Sequence, residues 1–350
     1  MLKERRPELV FAQLVVFRHM RTIVTVLAFV LSLAAKAQGE RFTIVELNVE
    51  NLFDTEHDSL KNDHDFLPDS QQRWTRTRYW RKLNRLGQTI VACGRDSSGW
   101  ASVDLVALCE VENDTVMRDL TRRSLLRTAR YEYVVTDSPD ERGIDVALLY
   151  SPFTFRLLGW RALRVPPIKD MRATRDVLYA KGELLWGDTL HVVVAHAPSR
   201  RGGEMATRKL RCHVARAICQ LTDSIRHEES DAKIVLLGDF NAYTGEPSLN
   251  IIEQNGLTDV SRHATGTHGA RATYRYQGRW ASLDHIFVST PLLPRVGQCR
   301  VVDEPFLMEE DTKYGGWKPR RNYQGPVYRN GFSDHLPLLL SLVFGSGRGR

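Results

Sequence analysis

Apolar runs of strand length recur along this chain, and polar clusters stand at the ends of several of them. Strands are predicted over residues 42–49, 105–108, 131–136, 146–150, 189–195, 233–237, 285–288 and 336–343. Helical patterns over residues 78–91 and 204–225 place apolar residues at three- and four-residue steps. Strands and helices mixed through one chain predict an α/β protein.

Two of the polar clusters are the most informative. The segment GFSDHLP places Asp334 and His335 side by side before an apolar run, and the segment LGDFN places Asp239 and Asn241 directly after another. Carboxylate and amide oxygens suit a hard divalent cation such as Mg²⁺ or Mn²⁺. A histidine beside a carboxylate suits proton transfer or binding of a phosphoryl oxygen. The pattern indicates metal-assisted cleavage of a phosphoester.

Further polar residues stand at other predicted strand ends. They are Asn48, Glu110, Glu112, Asp145, His196 and Asp284. Each alone is unremarkable, since a lone Glu after a strand is usually a solvated strand end and a lone Asp or His is more often part of a turn or a helix cap. Their joint occurrence in one chain favours a site, in which we expect two dyads, His335 with Asp284 and His196 with Asp145.

The ordered series resembles the endonuclease/exonuclease/phosphatase superfamily from about Phe42 to Phe344. The segments LGDFN and SDHLP carry the most specific likeness, and the segments NVENLFD, EVEN, RGIDVA and PSRRGG resemble the superfamily's secreted bacterial branch. The resemblance implies a four-layer α/β sandwich of two packed, mainly antiparallel β-sheets flanked by helices.

The same resemblance implies roles for individual residues. It implies a cation, Mg²⁺ or Mn²⁺, bound by Asn48, Glu110 and Asp334. The catalytic set that it implies is His196, Asp239, Asn241, Asp284 and His335. Glu112 and Asp145 would support these residues.

Basic and aromatic side chains near these motifs are candidates for substrate binding. They are Arg200, Arg201, Arg320, Arg321 and Tyr323. Guanidinium groups match phosphate oxygens, and a tyrosine ring stacks on a base. The alternative is a polar loop that packs on the edge of the sheet.

Three functions are compatible with this sequence. The first is a nuclease that cleaves nucleic acid, and the second is a phosphatase or phosphodiesterase for small phosphoesters, inositol phosphates or lipid head groups. The third is a non-catalytic binding module of the same fold, which the complete set of polar residues disfavours. Residues 1–37 hold six basic and two acidic residues, which leaves 43 basic and 40 acidic residues in the rest of the chain. That mild charge does not separate the first two functions. We expect a monomer.

The first 37 residues are typical of a signal peptide. Arg18 and Arg21 precede an apolar stretch, and Ala35 and Ala37 are the small residues that a signal peptidase reads. Met20 is an alternative start, and an uncleaved membrane anchor is the alternative interpretation. The sequence thus predicts an exported protein, periplasmic or secreted, with one domain over residues 38–350 and no stable membrane association after cleavage.

The cysteines do not suggest a metal site. The five cysteines lack CxxC spacing, and Cys212 and Cys219 lie about two turns apart on one helical face. We expect buried free thiols.

Overall fold

The computed structural model describes residues 40–96, 99–169 and 171–344. The predicted signal peptide, residues 1–37, lies outside the described residues. Residues Phe42–Leu342 form one compact unit. A second unit comprises residues 1–41 and 343–350, of which four residues are described. Among the described residues, no helix has both the length and the apolar character needed to cross a bilayer.

Strands dominate the part of the chain that the structure describes. They are β1 (Glu40–Leu52), β2 (Arg95–Asp96), β3 (Gly99–Trp100), β4 (Leu105–Val111), β5 (Glu132–Val135), β6 (Asp145–Tyr150), β7 (Phe155–Leu163), β8 (Val177–Leu184), β9 (Thr189–His196), β10 (Ile234–Asp239), β11 (Leu257–Asp259), β12 (Tyr274–Tyr276), β13 (Arg279–Ala281), β14 (Asp284–Ser289), β15 (Val296–Val301), β16 (Met308–Glu310), β17 (Trp317–Pro319), β18 (Tyr323–Gln324), β19 (Val327–Tyr328) and β20 (Leu338–Phe344). The α-helices are α1 (Arg76–Cys93), α2 (Asp114–Arg122), α3 (Glu204–Glu228) and α4 (Pro247–Gln254). Short 3₁₀ helices span His64–Phe66, Leu125–Thr128, Thr290–Arg295 and Pro305–Leu307.

Two six-stranded sheets organise these elements. The first has the order β15-β20-β1-β4-β6-β5, and the second has the order β11-β14-β10-β9-β8-β7. β1 and β4 are parallel, as are β9 and β10, whereas β4 and β6, β8 and β9, and β10 and β14 are antiparallel. The fold prediction of two packed, mainly antiparallel sheets flanked by helices is confirmed.

The two sheets pack face to face through their central strands. β4 of the first sheet contacts β9 and β10 of the second. On the outer face of the second sheet, Ile234 and Leu236 of β10 pack against Ile218 and Leu221 of α3. Alternate residues of a strand point to opposite faces. A continuous apolar run such as that of β10 therefore packs against the helix layer on one face and the other sheet on the opposite face. Burial on both faces fixes the register of the central strands.

The predicted elements are present with small differences in their ends, and several others were not predicted. β7, β8 and β15 were missed because they carry many exposed or polar residues and lack a clear apolar run. The short helices α2 and α4 were also missed, since they are about two turns long. All five cysteines are free, as expected, although Cys219 and Cys299 are only partly buried.

Bulges interrupt the two parallel strands of the first sheet at one end. The register of β1 shifts between Asn48 and Leu52, and that of β4 shifts between Cys109 and Val111. A bulge takes a residue out of the hydrogen-bonded ladder and redirects its side chain. The side chains of Glu50 and Glu110 leave the sheet at these bulges.

Candidate active site

The predicted dyad of His335 and Asp284 is present and fully buried. Nδ1 of His335 lies 2.8 Å from Oδ2 and 3.0 Å from Oδ1 of Asp284. The hydroxyl of Thr273 donates to the same carboxylate. The backbone N–H of His335 donates to the Ser333 hydroxyl, which in turn donates to the carbonyl of Asn48. The imidazole is therefore held in place from the first sheet and from β14 of the second.

Asp239, at the end of β10, lies beside this dyad. Its Oδ2 accepts a hydrogen bond of 3.0 Å from the side-chain amide of Asn48, and its Oδ1 accepts one of 2.8 Å from the backbone of Asn241. The side-chain amide of Asn241 donates to the carbonyl of Ala197. Ligand atoms of Asp239, Asp284 and His335 all lie within 4.8 Å of one another. Residues from both sheets thus converge at one point.

Asn48 was predicted as a metal ligand, and that role stays a prediction. An asparagine binds a cation through its amide oxygen. That oxygen accepts a hydrogen bond of 2.9 Å from the backbone of Glu50. Since the amide nitrogen also faces Asp239, the hydrogen bonds favour a role in orienting that carboxylate.

Several of these residues adopt a backbone conformation that side chains disfavour. Glu50, Asn51, Glu110 and Asn241 have φ angles of 52°, 57°, 68° and 48°. Such conformations are uncommon for residues other than glycine and are often concentrated at functional sites. Here these backbone conformations direct polar side chains toward the site, whereas regular strand geometry would direct them elsewhere.

Glu110 leaves β4 next to the loop that follows β1. Its Oε2 accepts a hydrogen bond of 2.9 Å from the backbone of Asn51. Its Oε1 lies 3.8 Å from Nη2 of Arg142 and 3.9 Å from Nε2 of His196. Nε2 of His196 is also 3.6 Å from Oδ2 of Asp239, so this imidazole stands between the two carboxylates.

A second group of acids includes a residue to which the sequence analysis gave no role. Glu50 is buried, and its carboxylate accepts hydrogen bonds from the backbone of Asn322 and Tyr323. Nη2 of Arg321 is 2.9 Å from Oδ2 of Asp334, and its Nε is 3.5 Å from Oε1 of Glu50. Arg321, predicted to bind substrate, therefore bridges two acids of the site. Glu50 belongs to the segment NVENLFD that carries part of the family resemblance. A single sequence, however, does not distinguish the role of Glu50 from that of its neighbours.

Lys82 of α1 is the other residue that the sequence analysis missed. Its side chain is buried, and Nζ donates a hydrogen bond of 2.6 Å to the carbonyl of Phe332. Burial lowers the pKa of Lys82 to about 8, although the negative charges of Glu50, Asp334 and Glu110 oppose this shift. A lysine within a helical pattern indicates a solvated face, so only the packing shows that this one points at the acids.

Burial and mutual repulsion perturb the carboxylates. Burial raises the pKa of Asp239 to about 7, and the charge of Asp284 adds to the increase. Burial likewise raises the pKa of Glu50 to about 7, together with the charge of Asp334. Glu46 is fully buried, and neither of its carboxylate oxygens has a hydrogen-bond partner among the described residues. Burial and the charges of Asp284 and Asp239 raise the pKa of Glu46 well above its usual value.

The pKa values of the two site histidines are shifted in opposite directions. Burial alone would lower the pKa of His335, but Asp284, Asp334 and Asp239 raise it well above its usual value. Burial lowers the pKa of His196 well below its usual value, and the charges of Arg175 and Arg142 lower it further. The surroundings of the two imidazoles therefore favour the protonated form of His335 and disfavour that of His196.

The donor groups of the site fit a divalent cation. Glu110, Glu50 and Asp334 present carboxylates around the Lys82 ammonium, and Arg321 pairs with Glu50 and Asp334. Oxygen donors of this kind select Mg²⁺ or Mn²⁺ over softer ions. A cation would relieve the repulsion between these acids.

Some predicted site residues lie elsewhere or face other partners. The predicted pairing of His196 with Asp145 is wrong. Asp145 accepts hydrogen bonds from Thr136 and Ser138. Among the described residues, Nδ1 of His196 has no hydrogen-bond partner. Glu112 is buried and accepts a hydrogen bond from the backbone of Asp54. It stabilises the loop after β1 and does not enter the acid cluster described above.

The predicted substrate-binding residues also differ from expectation. Tyr323 is buried, its ring packs at 6.0 Å from that of Trp74, and it lines a small cavity together with Glu50 and Arg321. Arg320 lies over the ring of Phe332. Arg200 pairs with Glu246 at 2.7 Å, and Arg201 is exposed.

A cavity of about 650 Å³ next to the site is rich in arginine. Its lining includes Arg142, Arg172, Arg175 and Arg201, opposed by the acids Asp140 and Glu141. Arg142 connects the cavity with the site, since its guanidinium also contacts Asn51 and Glu110. Four guanidinium groups in one concave region are suited to an anionic ligand.

Comparison with known proteins agrees with this geometry. A model of the endonuclease/exonuclease/phosphatase family matches residues 43–343. No curated protein matches the sequence.

Solved structures of similar fold are known. An endonuclease/exonuclease/phosphatase family protein from Bacteroides thetaiotaomicron has a TM-score of 0.58 and 16% identity, with 88% of this chain and 99% of that chain covered. A mannosyl-6-phosphatase from the same species has a TM-score of 0.57 and 16% identity, with 87% and 100% covered. Truncated TDP2 from Caenorhabditis elegans has a TM-score of 0.53 and 14% identity, with 88% and 99% covered. At these identities the likeness shows the fold, and the match of the family model over most of the sequence shows that the chain belongs to the endonuclease/exonuclease/phosphatase family.

Proposed function

We propose that this protein is a divalent-metal-dependent hydrolase of phosphodiester bonds, with nucleic acid as its substrate. The observation that carries the proposal is the convergence of Asp239, the His335–Asp284 dyad and the Glu110–Glu50–Asp334 acids at one end of both sheets. The arginine-lined cavity beside them supports a substrate with more than one phosphate.

The residues divide the chemical work in this proposal. A divalent cation, Mg²⁺ or Mn²⁺, held by Glu110, Glu50 and Asp334 would supply positive charge to the phosphoryl oxygens. Asp239 orients the attacking water and accepts its proton, because a pKa of about 7 suits a base at neutral pH. The His335 imidazolium donates a hydrogen bond to a phosphoryl oxygen, and Asp284 holds its ring. Asn241 and neutral His196 contribute further donors to the phosphate.

A second candidate is a phosphatase that acts on small phosphoesters. The burial of Tyr323 favours it, because little of that ring is open for stacking on a base. The arginine-lined cavity would then receive a second anionic group of a small substrate. Action outside the cytoplasm, after export, is proposed on the pattern of residues 1–37 alone.

One experiment tests both candidates. The purified protein is incubated with supercoiled plasmid, and in parallel with nucleotides, sugar phosphates and inositol phosphates, each with Mg²⁺ or with EDTA. Mg²⁺-dependent nicking that EDTA abolishes would support the nuclease, and release of phosphate alone would support the phosphatase. The absence of turnover in every assay would contradict both and favour a binding module.

Active-site variants show whether the turnover belongs to this site. We expect His335→Ala to lower the rate by on the order of a hundredfold or more, since it removes an electrostatic contribution to the transition state. His227→Ala, which changes an exposed histidine of α3, is the matched control and should leave the rate unchanged. Wild-type activity in His335→Ala would contradict the assignment.

A further inference from the structure

The loop between β1 and α1 contains a second group of potential metal ligands. Ligand atoms of His57, Asp63 and His64 all lie within 4.8 Å of one another. Among the described residues, the one other group of this kind is the site cluster of Asp239, Asp284 and His335. The loop group lies outside the site described above and has no part in the proposed reaction.

The three side chains are already arranged around a common point. Nδ1 of His57 lies 2.5 Å from Oδ1 of Asp63, and the ring centroids of His57 and His64 are 4.7 Å apart. Donor atoms around a tetrahedral zinc ion, with bonds of about 2.0–2.1 Å, stand roughly 3.3 Å from one another. The candidate donor atoms of the three residues all lie within 4.8 Å of one another, so rotations of the two imidazoles would complete the arrangement.

The carboxylate is fixed independently of the histidines. Asp63 is 1% exposed, and its Oδ2 accepts a hydrogen bond of 2.7 Å from the backbone of Asp58. The second oxygen, Oδ1, therefore faces the imidazoles. A metal-binding carboxylate is commonly held by such a hydrogen bond, which reduces the freedom lost on binding.

The loop itself is anchored to the rest of the protein. Nζ of Lys61 donates to the carbonyl of Ser138 at 2.6 Å, and the backbone of Asn62 donates to that of Glu141 at 2.7 Å. The ring of Phe66 stacks on that of Phe53 at 4.1 Å. These contacts on both sides of Asp63 keep the ligands in position before any ion arrives.

An ordinary histidine–aspartate hydrogen bond is the simpler explanation for part of this arrangement. It explains the contact of His57 with Asp63, but it gives no reason for the second imidazole to lie against the first. Both histidines are partly or fully exposed, so an ion from solvent reaches them.

We propose that His57, Asp63 and His64 form a transition-metal site whose preferred ion is Zn²⁺. Two imidazoles and one carboxylate are a common zinc donor set and a poor one for Mg²⁺. Three protein ligands leave the fourth position to water. The loop begins at Asp54, whose backbone donates a hydrogen bond to Glu112. A bound ion would therefore stabilise this loop without being part of the acid cluster.

Calorimetric titration of the full chain with Zn²⁺ tests this site. The protein is first freed of metal with EDTA and dialysed, and the titration is made in excess Mg²⁺ to occupy the oxygen-rich site. We expect one zinc equivalent to bind, and His57→Ala/His64→Ala to lower its affinity by about a hundredfold or more. Bound zinc should also raise the thermal midpoint of the wild-type protein, because it binds the folded state alone.

Two control variants separate this site from the active site. Glu110→Gln should keep the zinc equivalent, and His227→Ala should leave both stoichiometry and affinity unchanged. The double variant loses the contact of His57 with the buried Asp63 carboxylate, so its metal-free thermal midpoint is measured as well, and zinc affinity is compared at a temperature at which both proteins are folded. Equal zinc binding by the double variant and the wild type, or zinc binding that disappears in Glu110→Gln, would overturn the proposal. The outcome is independent of whether any phosphoester is cleaved.

Discussion

At the scale of single residues, buried charges distinguish this site from a solvated strand end. Lys82 supplies a positive charge next to three carboxylates, and it lies in α1, outside both sheets. Arg321, between β17 and β18, supplies a second positive charge. These two side chains hold the acids together in the absence of a cation, so changes to them should act on stability as well as on rate.

Replacing Lys82 by methionine tests this balance. Lys82→Met keeps most of the side-chain volume but leaves Glu50, Asp334 and Glu110 without their buried ammonium. We expect the free energy of unfolding in EDTA to fall by about 3 kcal/mol, because removing one partner of a buried charge cluster leaves the others uncompensated. Urea unfolding with and without Mg²⁺ measures it, and Mg²⁺ should restore more stability to the variant than to the wild type.

Lys181→Met is the matched control for this substitution. Lys181 is partly exposed and lies 3.5 Å from Glu229, so its loss should change stability by less than about 1 kcal/mol. Equal effects of the two substitutions would contradict the role given to Lys82.

At the scale of the elements, the parallel pair of β9 and β10 positions His196 and Asp239. Gly238 stands one residue before Asp239, with φ of 145°, and a Cβ atom there would lie 1.8 Å from the carbonyl oxygen of Ala195. Because that oxygen belongs to the backbone of β9, no side-chain rotation relieves the contact. The glycine of the segment LGDFN is therefore required for close approach of two strands that carry the site.

Gly238→Ala should separate these strands at the site. We expect a loss of about 3 kcal/mol in unfolding free energy, at the upper end for overpacking, together with a loss of activity in whatever folded protein remains. Gly159→Ala in β7 is the control, since a Cβ there meets nothing within 4 Å. Chemical denaturation of the three proteins checks the expectation, and a stable, active Gly238→Ala protein would refute it.

At the scale of the whole molecule, a buried ion pair ties the edge of the second sheet to the loop after β10. Nδ1 of His285 is 3.0 Å from Oδ2 of Asp259, and its Nε2 is 3.0 Å from the carbonyl of Ala242. Both ring nitrogens face acceptors, so the imidazole is charged. Burial alone would lower the pKa of His285, but Asp259 and the Ala242 carbonyl raise it above its usual value. Burial would raise the pKa of Asp259, but His285 and Ser261 lower it.

These shifts predict how stability depends on pH. The contribution of His285 is complete below its unfolded pKa of about 6.5 and is lost as pH rises through the higher folded value. The contribution of Asp259 is complete above about pH 4 and is lost as pH falls through the lower folded value. We expect His285→Gln to lower the unfolding free energy by about 3 kcal/mol between about pH 4 and 6.5.

Urea titrations of wild type and His285→Gln at several pH values measure this difference. It should shrink as the pH rises above about 6.5, because the unfolded wild-type chain then loses the imidazole proton that the folded state retains. A difference that stays constant from pH 5 to 9 would show that the charge of His285 contributes nothing.

Much of the site could be predicted from the sequence because its residues stand at strand ends. Asp239, Asp284 and His335 each adjoin an apolar run, and the structure brings these three together. Local pattern was sufficient there, since a strand end fixes where the next side chain lies. The local pattern was insufficient for Asp145, which accepts its hydrogen bonds from Thr136 and Ser138 and not from His196.

The sequence by itself determined the α/β class, the main strands of both sheets and the polar residues that end them, because apolar periodicity and short motifs are local properties. Only the tertiary structure decided which of these residues meet. In the folded protein Tyr323 is buried, Arg321 pairs with two acids, and Lys82 lies among carboxylates from distant elements. The physical reason is that burial and charge pairing depend on contacts between segments far apart in the chain, and no local pattern records them.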